Sequence, residues 1–188
     1  MSTQARMVPF YENQPDNIHC FQASIKMILK YFLPDRDFSW AELEKMSAIT
    51  SKKDDPVTWT QSMLLHLAEL GFDVALIEEF DAEAFIAEGE DYLRRAYSEE
   101  NAEWQIARTD IPQEQEAYRQ LLANAAIHYE NRKPGIEDVR AYLLRGYLVQ
   151  VTINHSVLNG EDGKQGHSVV VISADDVNVV FHDPGLPG

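Results

Sequence analysis

The sequence predicts an α+β fold in which helices come first and an antiparallel sheet follows. Two observations indicate this order. Apolar residues recur at helical spacing in most segments before Gly146, and after it short runs rich in valine and isoleucine alternate with turns. A chain of 188 residues is long enough to bury one self-supporting core and short for two. We therefore expect residues 1–188 to form a single domain.

In chain order, the elements expected before residue 81 are a helix over 20–32, a short helix after Ser39, a helix over 60–70 and a strand over 72–77. Pro34 ends the first helix, because proline cannot continue one. Ser39 and Glu42 have the spacing of a capping box, which starts the second helix. Gly71 marks the end of the third helix.

Residues 81–131 are acidic and show helical periodicity. We predict one helix that contains Phe85 and Tyr97, and a second helix that contains Tyr118 and Tyr129. Because this stretch separates the first helices from the later strands, we expect it to be a helical insert or lid within the domain.

The last part of the chain contains one more short helix and then the sheet. The expected elements are a helix over 135–144 and strands over 147–153, 168–172 and 177–182. Gly146 ends the helix, and the glycine-rich segment 159–166 forms a turn before the second strand. Since the chain ends at Gly188, soon after the last strand, we expect further strands of this sheet to lie beyond it.

The composition excludes several classes of function. Aspartate and glutamate number 31 against 16 lysines and arginines, so the net charge of -15 repels nucleic-acid phosphates and anionic lipid. We expect no nucleic-acid and no membrane partner. The N-terminus lacks an apolar signal core, and the chain has one cysteine, which predicts a cytoplasmic protein without an internal disulfide. No close pair of zinc-type ligands occurs, so we expect no metal and no cofactor. The sequence does not indicate an oligomeric state.

Cys20 is the only cysteine, and it lies at the start of the first predicted helix. Unpaired backbone N–H groups and the positive end of the helix dipole favour the thiolate at such a position. His167 stands at the beginning of a strongly β-forming run, and Asp183 ends another. Together they offer a nucleophile, a base and a carboxylate that orients the base. The Cys20 backbone N–H and the Gln14 side-chain amide are the candidate oxyanion donors.

Each of these residues also has a purely structural interpretation. A lone cysteine on an amphipathic helix is often a small buried apolar residue, and Asp183 before Pro184 can simply start a turn. The catalytic interpretation is favoured because the set supplies every role. His19 is a weaker base than His167, since adjacent helix positions point to different sides. His155 could line the cleft, but a solvated loop histidine is the preferred interpretation.

Three segments carry a resemblance to a known family. The helix-forming segment Cys20–Phe32, with Gln14 upstream, the motif Gly166-His167-Ser168 and the motif His182-Asp183-Pro184 resemble the papain-like cysteine peptidases. They are most similar to the branch that processes bacteriocins at double-glycine leaders. The resemblance covers about the first thirty residues and the last fifty. It implies a papain-like fold, in which an N-terminal catalytic helix packs on a C-terminal antiparallel sheet.

The resemblance implies that Cys20 is the nucleophile, His167 the base, Asp183 the orienting acid and Gln14 the oxyanion donor. Phe21 stands where many relatives have glycine, and this change could narrow the cleft or shift the Cys20 amide. No transporter region accompanies the motifs, so specificity for a double-glycine leader is not carried over. We expect a cysteine peptidase or amide hydrolase that acts on a peptide or protein through a thioester. An acyltransferase or deamidase, and a non-catalytic peptide- or protein-binding module, remain open.

Overall fold

The computed structural model describes residues 7–16, 18–47, 59–163 and 165–185. It is a mixed α+β structure, which confirms the predicted class. The helices are α1 (Cys20–Phe32), α2 (Trp40–Ser47), α3 (Gln61–Glu69), α4 (Ala82–Glu88), α5 (Glu90–Ala96), α6 (Glu99–Arg108), α7 (Ile111–Ala123), α8 (Ile136–Leu144) and α9 (His155–Leu158). The strands are β1 (Val74–Glu78), β2 (Ile127–Asn131), β3 (Val149–Asn154), β4 (Gly166–Ala174) and β5 (Val179–His182). None of the helices described is long and apolar enough to cross a membrane.

The chain forms two compact units. The first contains Met1–Leu43 and Gly135–Gly188, and the second, which interrupts it in sequence, contains Glu44–Pro134. The predicted insert 81–131 lies wholly within the second unit, which begins further upstream than expected and also contains α3 and β1. The expectation that residues 1–188 form one domain stays a prediction.

An antiparallel sheet forms the centre of the first unit. Its strand order is β3-β4-β5, so β4 pairs on both sides. Side chains along β4 are buried on both faces, because α1 and α8 both contact this strand. A β-bulge between Val171 and Ser173 shifts the register, and as a result Val171 and Ala174 both pack against Leu143 of α8.

Helix α1 has the bounds that the sequence predicts. It ends where the Leu33 N–H donates to the Leu29 carbonyl oxygen at 2.8 Å, just before Pro34. Most of its first three turns are buried. Ser24 is fully buried and donates from Oγ to the backbone oxygen of Ser168 in β4 at 3.2 Å. This hydrogen bond holds the first turns of α1 beside the beginning of β4.

The segment before α1 is attached to the end of the sheet near β5. His182 donates from Nε2 to the Val8 carbonyl oxygen at 2.9 Å. The Asn13 N–H donates to the Pro184 carbonyl oxygen at 3.0 Å. The chain therefore enters α1 from the region that contains Asp183.

The predicted ends of the other helices agree with the structure. Ser39 and Glu42 form the capping box before α2: the Ser39 N–H donates to Glu42 Oε2 at 2.7 Å, and the Glu42 N–H donates to Ser39 Oγ at 3.3 Å. Helices α3 and α8 stop close to the predicted Gly71 and Gly146. These helix ends were predictable because residues that cap or terminate a helix act on their immediate neighbours.

The prediction of one continuous helix from Phe85 to Tyr97 was wrong. The helix is interrupted at Gly89, whose φ of +59° lies in the left-handed region. The side-chain nitrogen of Gln115 donates to the carbonyl oxygens of Phe85 and Ile86 at 3.1 and 3.0 Å. It also lies 3.0 Å from the place that a Cβ at Gly89 would occupy. A glutamine from α7 thus binds the last carbonyl groups of α4, and the positive φ favours glycine at position 89.

The prediction that one helix contains both Tyr118 and Tyr129 was also wrong. Helix α7 ends at Asn124, whose Oδ1 accepts a hydrogen bond from the Ala126 N–H at 3.0 Å and so forms a turn. The chain then continues as β2, which pairs in parallel with β1. Tyr129 lies in this strand, and its hydroxyl donates to the Phe80 carbonyl oxygen.

The second unit has its own aromatic core next to the end of β1. The core residues in this cluster are Phe80, Ala82, Phe85, Tyr92, Leu93, Ala102, Ile111 and Tyr118, with Trp59 and Tyr129 packed against them. Glu78, the last residue of β1, lies beside this cluster and accepts a hydrogen bond from the Tyr118 hydroxyl at 3.0 Å. Burial raises the pKa of Glu78 to about 7, although the Tyr118 hydrogen bond opposes the change.

This raised pKa predicts how the stability of the second unit depends on pH. Because Glu78 holds its proton more tightly in the folded than in the unfolded chain, its contribution to the free energy of unfolding is greatest below about pH 4.5 and is lost as the pH rises through about 7. Thermal unfolding followed from pH 4 to 8 should show this loss, and Glu78→Gln should reduce it. Glu83→Gln, on the exposed side of α4, is the control. An unchanged pH dependence in Glu78→Gln would contradict the burial of this carboxyl group.

The packing of α1 predicts an effect on stability. Leu29 is 0% exposed, so Leu29→Ala should lower the free energy of unfolding by about 2–5 kcal/mol through lost burial and a residual cavity. Leu144, which is 60% exposed, provides the matched control, and Leu144→Ala should have little effect. Urea unfolding of both variants gives the measurement. Equal losses in the two variants would show that α1 does not pack as described.

Candidate active site

His167 and Asp183, which are far apart in the predicted elements, meet in the structure. His167 is the second residue of β4, and Asp183 follows β5. Because β4 and β5 are antiparallel neighbours, the beginning of one lies beside the end of the other. His167 Nε2 and Asp183 Oδ1 are 2.6 Å apart, and His167 is 5% exposed.

The electrostatics of this pair fix which nitrogen of His167 carries the proton. Burial alone would raise the pKa of Asp183, but hydrogen bonds from His167 and from the Gly185 N–H, at 2.8 Å, outweigh burial and hold the pKa below its ordinary value. Asp183 is therefore ionised at neutral pH and accepts the Nε2–H of His167. In the neutral ring, Nδ1 is then the nitrogen that can accept a proton.

Cys20 is the first residue of α1 and is half-buried. Its backbone N–H belongs to the helix N-terminus, where N–H groups lack partners within the helix. Ser24 lies one helical turn later on the same face. Since Ser24 is hydrogen-bonded to Ser168, the neighbour of His167, the thiol lies near the end of β4 that carries the histidine.

Gln14 lies in a loop that leads directly to the thiol. Asn13 Oδ1 accepts hydrogen bonds from the backbone N–H groups of Gln14, at 2.8 Å, and His19, at 3.0 Å. Both ends of the loop are thereby held at one oxygen atom, and Gln14 is brought close to the residue before Cys20. Gln14 is half-buried. The loop thus places Gln14 at the same loop–helix junction as Cys20.

Asn13 has a structural role that the sequence patterns did not predict. Its side chain closes the loop before α1, its backbone N–H bonds the Pro184 carbonyl oxygen, and it is 5% exposed. Asn13 therefore connects the loop that holds Gln14 with the segment that follows Asp183. The available signal was an asparagine just before the turn-forming Pro15, because asparagine side chains commonly bond backbone N–H groups in turns.

The interpretation of His155 as a solvated loop histidine was wrong. His155 begins α9 and is half-buried, with its ring centroid 5.0 Å from that of His167 at an interplanar angle of 65°. The signal lay in the hairpin that joins β3 to β4. Asn154 at the end of β3 pairs with Gly166 at the start of β4, so the residue after β3 comes close to the beginning of β4.

The other histidines in the first unit have different partners. His19 Nδ1 lies 2.9 Å from Asp16 Oδ1, and the His19 ring contacts Trp40 with centroids 6.3 Å apart. His182 bonds the carbonyl oxygen of Val8. His167 is thus the histidine of this unit with a half-buried carboxylate at one nitrogen.

Phe21 does not occupy an open cleft. It follows Cys20 in α1 and is 4% exposed, so its ring lies in the interior of the unit. The expected narrowing of the cleft therefore receives no support from the position of this ring. No three histidine, cysteine or carboxylate side chains converge as metal ligands within the described parts of the chain.

No protein-family model matches this chain, and neither the curated proteins nor the solved structures include a similar one. The functional interpretation consequently depends on the geometry around Cys20, His167 and Asp183.

The His167–Asp183 hydrogen bond predicts a single tautomer. Long-range ¹H–¹⁵N NMR of the neutral His167 ring should show the proton on Nε2. Asp183→Ala removes the acceptor and should populate the Nδ1–H tautomer. Asp175→Ala is the control, because Asp175 accepts backbone N–H groups of Val177 and Asn178 in a turn after β4. Identical His167 spectra in the wild type and Asp183→Ala would refute the assignment.

Proposed function

We propose that the protein is a papain-like cysteine peptidase or amide hydrolase that acts on a peptide or protein substrate. The observation that carries the proposal is the hydrogen bond between buried His167 and half-buried Asp183, at the end of the strand on which the Cys20 helix packs. This arrangement supports a thiol, a base and an orienting carboxylate acting together.

The papain-like fold is part of this proposal. Three features of the first unit support it: α1 begins with the cysteine, α1 packs on an antiparallel sheet, and the histidine lies on β4 while the aspartate directly follows the neighbouring strand β5. The chain order of Gln14, Cys20, His167 and Asp183 is the order that the family resemblance implies. The second unit then corresponds to an insertion between the catalytic helix and the sheet.

In the proposed reaction, His167 Nδ1 takes the proton of the Cys20 thiol, and Sγ forms a bond to the substrate carbonyl carbon. The C–N bond breaks when the imidazolium returns this proton to the leaving amine, which leaves a thioester on Cys20. Water then loses a proton to His167 and attacks the thioester, and the acid product departs as the thiol is regenerated. Asp183 stays ionised throughout and stabilises the imidazolium.

The negative charge that develops on the carbonyl oxygen requires hydrogen-bond donors. The Cys20 backbone N–H at the helix N-terminus is one donor. The side-chain amide of Gln14, whose backbone N–H is bound by Asn13 in the loop before α1, is the second. Acyl transfer and deamidation would proceed through the same thioester, with an amine replacing water or a glutamine side chain replacing the peptide. A non-catalytic binding module would keep the fold without an activated thiol.

The reactivity of Cys20 tests whether the thiol is activated. Iodoacetamide should label Cys20 rapidly well below the free-thiol pKa of about 8.5, because His167 accepts the thiol proton. His167→Ala should confine rapid labelling to higher pH, whereas His128→Ala, an exposed histidine of β2, should label as the wild type does. Slow labelling that rises only near the free-thiol value and is the same in His167→Ala would indicate a binding module.

Hydrolysis itself can be measured with a mixture of unstructured peptides. Mass spectrometry should detect new peptide ends that Cys20→Ala does not produce, while that variant keeps the melting temperature of the wild type. Ends joined to an added amine would indicate acyl transfer, and glutamine converted to glutamate without chain cleavage would indicate deamidation. Equal turnover by the wild type and Cys20→Ala would exclude Cys20 as the nucleophile.

A further inference from the structure

We propose that His155 is a positioning residue for His167, whose ring it holds in the orientation that leaves Nδ1 available to the Cys20 thiol. This inference deepens the proposed function and rests on it. The observation behind it is the contact between the two imidazole rings, whose centroids lie 5.0 Å apart at an interplanar angle of 65°.

The hydrogen bond to Asp183 does not fix the His167 ring by itself. The ring can rotate about its Cβ–Cγ bond, and because Nε2 lies close to that axis, a hydrogen bond at Nε2 restrains the rotation only weakly. Such rotation moves Nδ1 away from its target. A second contact against the ring removes this freedom. His155 supplies that contact, because it lies against His167 in an edge-to-face arrangement typical of aromatic pairs.

His155 is itself held by its own helix and loop. The side-chain nitrogen of Asn159 contacts the His155 ring, 3.1 Å from each of its two nitrogens. The His155 backbone N–H donates to the Gln165 carbonyl oxygen at 2.8 Å. The backbone of His155 is therefore held by a hydrogen bond, and its ring is packed between Asn159 and His167.

The loop between β3 and β4 is closed by a second set of hydrogen bonds. Asn154 donates from Nδ2 to the Gly163 carbonyl oxygen at 2.9 Å and accepts the Gln165 N–H at Oδ1 at 3.0 Å. The Glu161 N–H donates to the Ser156 carbonyl oxygen at 2.8 Å. These bonds fold the loop back on itself and present His155 at its base, next to the start of β4.

The contact with His155 also covers part of the His167 ring. His167 is 5% exposed although it lies at the beginning of a strand after a polar loop. A hydrogen bond between charged groups is stronger where water is excluded.

Thiol labelling of His155 variants tests this inference. At pH 7, His155→Ala should lower the iodoacetamide labelling rate of Cys20 by roughly 10-fold, by analogy with the loss of the partners that orient metal-binding histidines. His155→Phe keeps an aromatic ring against His167 and should restore a rate close to that of the wild type. Leu158→Ala, on the exposed side of α9, is the matched control and should change nothing.

A merely structural role would give a different pattern. Circular dichroism should show that His155→Ala keeps the wild-type fold. If that variant does not fold, Asn159→Ala, which only releases the His155 ring, replaces it and should also slow labelling. Two results would overturn the inference. One is a wild-type labelling rate in folded His155→Ala, or in Asn159→Ala if that variant replaces it. The other is a labelling rate in His155→Phe as low as that in His155→Ala.

Failure of the proposed function is recognised separately. Equal labelling of Cys20 in the wild type and His167→Ala would overturn the proposed function. NMR then tests the ring contact independently of thiol labelling. Nuclear Overhauser effects between the His155 and His167 ring protons would support the positioning role, and so would altered His167 ring signals in His155→Ala. Unaltered His167 signals in His155→Ala would overturn that role.

Discussion

The packing of α1 against β4 is the constraint on which the first unit depends. Ser24 and Leu29 of α1 are both buried. The Ser24–Ser168 hydrogen bond fixes the position of α1 along β4. Because Cys20 is the first residue of the same helix, the position of the thiol is determined by the core. Burial of apolar side chains thus stabilises the fold and orients the proposed nucleophile together.

The antiparallel sheet supplies the second half of the site. Pairing of β4 with β5 places His167 next to Asp183, and the Asn13–Pro184 hydrogen bond attaches the segment before α1 to the same end of the sheet. Three segments that are distant in sequence therefore meet at one place. The second unit contributes no residue to this set. Its aromatic core and the buried carboxyl group of Glu78 form a separate source of pH-dependent stability.

Features governed by neighbouring residues could be predicted from the sequence. The bounds of α1 follow from apolar spacing and Pro34, and the Ser39–Glu42 capping box is a local motif. The break at Gly89 could not be predicted, because it depends on Gln115 from another helix. Strand β2 depends on pairing with a distant strand. Cys20, His167 and Asp183 could be recognised in the sequence as a catalytic set. The contact between His155 and His167 could not, because it depends on the register in which β3 pairs with β4.

Detection of an acyl-enzyme would identify Cys20 as the nucleophile. The protein is mixed with a peptide 4-nitrophenyl ester, and the reaction is stopped within milliseconds to seconds for intact-mass analysis. We expect a burst of one nitrophenolate per chain and an acyl group on Cys20, both absent from Cys20→Ala and strongly slowed in His167→Ala. Acylation of a lysine in place of Cys20, or no burst at all, would show that Cys20 is not the nucleophile.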